Sequence, residues 1–303
     1  MAPAVQSQAS SRRIKFEYTP EIQTIGKQKI TLKENHDWKV EADGKVKDYH
    51  TLGRSLNRFL CSAEGLFRFG QFMERVPKFI NVVRQENGLP RIPALDCLTS
   101  KSVASWTWLT TIPHAITMTP GVIDDVKEAS SAWSNSSLTA RQKQYKFEKA
   151  ACEVTDAVSM YAYSASNVSS LFPSMTKIGA ASLAFGDNAT AVKDGISLKL
   201  NTQNYLRARA FDLSKATPAI KKTVEGTMRY SLIASAKDLA AFAAGCFGML
   251  FMATGTAVLP AYAFATLSLA STVFAIVRNM CSETMTFKPI NFFDHRHVAQ
   301  ITA

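Results

Sequence analysis

Residues 239–277 read LAAFAAGCFGMLFMATGTAVL, then Pro260, then AYAFATLSLASTVFAIV: 39 residues without one charged side chain. Roughly 20 apolar residues carry an α-helix across the hydrocarbon core of a bilayer. The lobe 239–259 has 21 residues and the lobe 261–277 has 17, so two closely spaced crossings fit, the second somewhat short. Pro260 lacks an amide hydrogen and clashes with the preceding turn. Together with Gly255 and Leu259 it predicts a tight turn between antiparallel helices. Ala, Gly, Ser and Thr fill about half the positions, and small residues let helix backbones approach closely in lipid. The candidate anchor residues are Leu239, Phe242, Phe247, Leu250, Phe251, Pro260, Phe264, Leu267, Leu269, Val273 and Phe274.

The flanks agree with a hairpin. Lys221, Lys222, Arg229 and Lys237 precede the segment, Arg278, Lys288 and Arg296 follow it, and the turn has no Lys or Arg. The positive-inside tendency places both ends on the cytosolic side. The competing reading is a hairpin buried in a large soluble domain, since helices apolar all round also occur in such cores.

Charge widens the argument. The net charge of +11 asks for an anionic partner, either acidic lipid headgroups or nucleic acid. With a hydrophobic hairpin present, acidic lipid is the more economical one. The basic residues are dispersed rather than gathered in a stripe, and no zinc finger, helix-turn-helix or RNP-type motif appears, so nucleic acid is the lesser alternative. An apolar fraction of 47% is that of a globular protein and not of a multi-span transporter. Five cysteines (Cys61, Cys97, Cys152, Cys246, Cys281) form no CxxC pair and suggest neither zinc nor a disulfide framework. MAPAVQSQASSRR has no apolar run and does not read as a cleavable signal.

Along the chain, residues 1–13 read as a disordered tail. Residues 14–50 alternate apolar and charged positions in IKFEY, KQKITLK and WKVEADGKVKDY, with Asp43-Gly44 as a hairpin signal. A β-rich N-terminal element is expected there. Residues 51–230 read as a helical body. Leu52, Leu56, Phe59, Leu60, Ala63 and Phe67 share one helical face with Arg54, Arg58 and Arg68 opposite. Beyond Gly65 and Gly70 the stripe shifts to Phe72, Val76, Phe79, Ile80 and Val83, which predicts a bend or two short helices.

Such a helix can lie in a membrane interface or bind a partner through Arg54, Arg58, Arg68, Phe72 and Phe79; packing on a core is the plainer reading. NGLPRIP (87–93) marks a break. The stretch holding Trp106 and Trp108 is expected to end at Thr119-Pro120-Gly121, and 130–137 reads as a turn. Helices follow at about 139–166 and 174–200, with Gly179 and Gly186 on nearly one face. Thr217-Pro218 opens the helix that runs into the hairpin. The hairpin occupies 231–280, and 281–303 reads as an irregular tail.

No catalytic constellation surfaces. Asp124, Asp125 and Asp156 have no partner spacing for acid/base work, and neither a P-loop nor GxSxG occurs. His295 and His297 with Asp294 lack a third metal ligand, and no cofactor is implied. Asn135, Asn167 and Asn188 head Asn-x-Ser/Thr triplets that follow from a Ser/Thr-rich composition.

The segment MRYSLIASAKDLAAFAAGCFGMLFMATGTAVLPAYAFATLSLASTVFAIVRNM, Ser/Ala-rich and two-lobed, resembles in layout the chlamydial inclusion membrane proteins. That resemblance implies an effector anchored in a host-derived vacuole membrane with both ends in the host cytosol. GRSLNRFLCSAEGLFRFGQF and LIASAKDLAAF resemble, more loosely, the peroxisomal membrane-elongation peroxins, which insert amphipathic helices into one leaflet. The expectation is a mainly α, non-enzymatic, membrane-associated helical bundle that scaffolds a protein partner or itself at acidic lipid. The alternative is a soluble helical protein that oligomerises or coats nucleic acid, with the hairpin as its core.

Overall fold

A computed structural model describes residues 22–25, 28–32, 56–57, 59–98, 101–169, 172–211, 213, 218–254, 260–284, 289–293 and 298–302. The chain is mainly helical. Its helices are α1 (Ala63–Glu86), the short α2 (Pro93–Leu98), α3 (Lys101–Ser134), α4 (Ala140–Ser169), α5 (Thr176–Ala210), α6 (Pro218–Thr254) and α7 (Ala261–Thr284).

Helix α1 begins one turn before Gly65. The Ser62 hydroxyl accepts from the Gly65 amide at 2.9 Å and donates to the Phe59 carbonyl at 2.8 Å. This is a serine N-cap with the chain folded back over it. A Cβ on Gly65 would lie 1.6 Å from that carbonyl, so only glycine fits. The break therefore falls at Cys61–Ser62, and α1 runs unbroken through Gly65 and Gly70, where a bend or two short helices were expected, and on through Pro77. It ends at Asn87, with Gly88 at φ 69°.

Helix α3 likewise continues through Pro113 and Pro120 to Ser134, past the expected stop at Thr119–Gly121 and into the expected turn. Tertiary bonds hold it there. Thr119 Oγ1 lies 2.7 Å from Tyr161 Oη, Lys149 pairs with Asp125 at 2.6 Å, and Lys146 pairs with Glu128. Two prolines weaken the helix locally, but contacts to α4 on both sides of Pro120 outweigh them.

The six long helices form a ring. Along the chain α3, α4, α5, α6 and α7 each pack on the next, and α1 closes the circle against α7 and α3. Pairings fix alternating directions: Glu128–Lys146 and Thr119–Tyr161 join α3 to α4, and Tyr163–Asp187 and Glu148–Lys199 join α4 to α5. Ser197–Asp238 and Asn204–Ser231 join α5 to α6, and Arg75–Thr272 and Arg278–Glu64 join α1 to α7. One end of the ring thus carries the α4–α5 and α6–α7 turns and the chain leaving α1. The other carries the α3–α4 turn, the α5–α6 connection and the end of α7.

That second end is closed by the segment after α7. An irregular tail was expected over 281–303; Thr284 still belongs to α7 and Val298–Thr302 is extended, while residues 289–293 form neither helix nor strand and are docked. Ile290, Phe292 and Phe293 are buried. Asn204 donates to the Ile290 carbonyl at 3.0 Å and accepts from the Phe292 amide at 2.9 Å. Arg207 and Arg141 sit over the Phe293 ring at 4.5 and 5.1 Å.

Short extended stretches at Ile22–Ile25, Gln28–Leu32 and Val298–Thr302 pair antiparallel. They do not make the β-rich element expected of residues 14–50, which the structure does not support; the Asp43-Gly44 turn lies outside the described residues.

Candidate functional site

A charged layer crosses the ring where α4, α5 and α6 meet. Lys193 reaches Asp194 at 3.0 Å and Asp156 at 3.4 Å. Lys237 reaches Asp238 at 2.5 Å and Asp194 at 3.5 Å. Asp238 Oδ2 also accepts from Ser197 at 2.6 Å and Asn201 at 2.8 Å. Asp194 and Asp238 are 1% and 0% exposed, so these are charges in a dry interior. Burial opposes the charge on Lys193, yet Asp156 and Asp194 outweigh it and hold the ammonium above its ordinary range. Burial likewise pushes the Asp156 carboxyl up, and Lys193 and Arg68 bring it below the usual range. Lys193 and Asp156 are stabilised by their partners, the condition under which a buried ion is tolerated.

This layer stands at the foot of the hairpin. Lys237 and Asp238 immediately precede Leu239, and Arg278 follows Val277. Arg278 donates to Glu64 on α1 at 3.1 Å. Above it, Arg75 of α1 donates to the Ser268 carbonyl at 2.7 Å and Thr272 Oγ1 at 2.6 Å, tying α7 inward.

The hairpin sorts its side chains by size. Ala240, Ala244, Ser271, Thr272 and Ala275 are buried against the ring. Close approach explains them: a Cβ on Gly245 would fall 2.7 Å from Ala191 Cβ, and one on Gly195 would meet the Phe242 ring at 3.1 Å. Gly179 and Gly186 lie buried against Ser169 and Tyr163 of α4 in the same manner.

Several large side chains point outward. Leu239 is 56% exposed, Leu250 45% and Phe264 43%, with Val273 and Phe274 close behind. Phe242, Phe247, Leu267 and Leu269 are half-buried, Pro260 is exposed at the start of α7, and the Phe251 side chain lies outside the described residues. Thr223–Leu250 and Ala261–Cys281 are long and apolar enough to cross a membrane, at mean hydropathies of 1.3 and 1.5.

The residues expected at an interface are scattered. Arg54 and Arg58 lie outside the described residues. Arg68 turns inward over the Phe67 ring and bonds Gln71, with Glu64 3.7 Å away. Phe72 and Phe79 are half-buried on α1.

Cys152 donates weakly to the Lys193 carbonyl at 3.7 Å, and burial pushes its thiol up to about 12, so it is not a poised nucleophile. Among the described residues no group of three His, Cys, Asp or Glu stands close enough to share a metal; Asp294, His295 and His297 lie outside them. Sequence reading missed the charged layer, noting Asp156 without a partner and Lys237 as a flanking charge. Its signal was available: Lys193-Asp194 and Lys237-Asp238 are adjacent opposite charges within long, weakly polar helices.

No known protein family, characterised protein or solved structure is detectably similar to this chain.

Proposed function

We propose that this chain is a non-enzymatic, membrane-associated helical protein, anchored by the α6–α7 hairpin with both hairpin ends on the same side. It scaffolds or recruits a protein partner, or further copies of itself, at an acidic lipid surface. The observation that carries the reading is the hairpin's inside-out sorting. A soluble core would bury Leu239, Leu250 and Phe264 and leave small residues outside, since burying a large apolar side chain is worth about 1.5–3 kcal/mol. Here Ala240, Ala244, Ser271, Thr272 and Ala275 face protein while Leu239, Leu250, Phe264, Val273 and Phe274 face outward, an arrangement that suits lipid. Lys237, Asp238 and Arg278 mark the boundary, and the net charge of +11 suits anionic headgroups. The specific form that the layout of residues 228–280 suggests is an inclusion-type effector in a host vacuole membrane.

The test is alkaline carbonate extraction of membranes from cells expressing the full chain. Retention in the pellet is the expected result. Release as a monodisperse protein without detergent would overturn the anchor.

A further inference from the structure

Resting on the membrane reading, the inside-out pattern does not stop at the hairpin. On α3 no Asp, Glu, Lys or Arg occurs from Ser102 to Ile123, and on α4 none from Ala157 to Ser169. On α5 the run from Ile178 to Val192 contains only Asp187, which accepts from Tyr163 Oη at 2.7 Å. The alternating helix directions stack these runs beside 239–254 of α6 and 261–277 of α7, all toward the same end of the ring. The charged layer of Asp156, Lys193, Lys237 and Asp238 bounds them below. Charge returns above, with Arg91, Asp96, Lys101 and Lys177 near the turns.

The side chains in this zone are inverted as they are on the hairpin. Ile116 on α3, Tyr161 and Val168 on α4, and Ile178 and Phe185 on α5 are exposed, Ile178 by 58% and Phe185 by 60%. Inside, Thr111 and Thr272 are each 1% exposed, and Tyr163 bonds Asp187 and Thr190. Several polar groups of the zone thus lie within the ring and several large apolar ones outside, as expected where the solvent is hydrocarbon. An open groove between α4 and α5, lined by Val158, Tyr161, Ala162, Ala181, Ser182 and Phe185, belongs to the same outer face. Its mostly apolar lining suits an acyl chain.

We infer that the membrane-embedded part of this protein is the whole charge-free end of the helical ring, with α4 and α5 facing phospholipid acyl chains through this groove. At 1.5 Å per residue the zone is about 20 Å tall on α4 and about 25 Å on α7, less than the ~30 Å hydrocarbon core, so the bilayer thins around it. Helix α1 is the exception, carrying the exposed Lys78 paired with Glu74, and forms the ring's polar wall.

The test places a benzophenone amino acid at Phe185, Phe264 or Phe147 of the full chain in phosphatidylcholine–phosphatidylglycerol vesicles carrying a tagged phospholipid. Phe147 is 64% exposed but lies below the charged layer. Far-UV circular dichroism confirms that each variant keeps its helices. Photo-adducts at Phe185 and Phe264 several-fold above Phe147 are expected. Adducts at Phe264 alone overturn this inference and leave the hairpin anchor standing. Equal adducts at all three overturn the boundary and with it the inference, and adducts at none overturn the anchor as well.

Discussion

Asp238 is held by Lys237, Ser197 and Asn201 with no contact to solvent. Removing such a carboxylate leaves the Lys237 ammonium with only Asp194 at 3.5 Å and takes an acceptor from Ser197 and Asn201. Breaking a buried pair costs about 3–5 kcal/mol, whereas replacing both partners by apolar groups of similar size is often nearly neutral. Asp238→Ala is therefore expected to lower the denaturation midpoint strongly, and Lys237→Met with Asp238→Leu to lower it less, because Asp194 retains Lys193 as its partner. A double variant as unstable as the single one would mean that the layer's charges are required for folding in their own right.

At the scale of elements, glycine and alanine set how closely helices stand. Gly245→Ala pits two effects against each other. Alanine is favoured over glycine in a helix by about 1 kcal/mol. Its Cβ would lie 2.7 Å from Ala191 Cβ and 3.3 Å from that residue's Cα, backbone that cannot rotate away. Overpacking of this kind costs about 1–3 kcal/mol, so the expected net change is a loss of stability, read as a lower thermal midpoint. A gain would show that α5 and α6 separate easily. The same closeness leaves the outer face to large side chains, which is how local packing serves the membrane role proposed for the hairpin.

Closure of the ring is a property of the whole molecule, and Glu64 is one of its few ionic seams. Burial raises its carboxyl, but Arg68 and Arg278 outweigh that and bring it down to about 2. The sign follows from the depressed value. The contribution is complete above the ordinary carboxylate range, near 4.3, and fades as pH falls toward about 2. Thermal midpoints between pH 6 and 2 should drop more steeply for the native chain than for Glu64→Gln. Parallel curves would mean that Glu64 does not couple α1 to α7. With the seam loosened, the polar wall of α1 would part from α7 at the level of the charged layer.

Much of the helical architecture was legible in the chain. The starts of α4 and α5, the start of α7 just after Pro260, and the apolar length of the hairpin all follow from local periodicity, composition and backbone restrictions, which act over a few residues; the turn expected at Gly255 and Leu259 lies outside the described residues. Pro113 and Pro120 misled because contacts between α3 and α4 outweigh a local preference. Residues 289–293 read as loose because Asn204, 86 positions from Ile290, supplies their bonds. Above all, the sequence by itself determined that 239–277 is apolar, while only tertiary structure decided which side chains face protein. It also decided that Asp156, Lys193, Asp194, Lys237 and Asp238 meet in one layer. Pairing charges across a ring depends on helix rotation and register, and these are set by contacts between residues far apart in the chain.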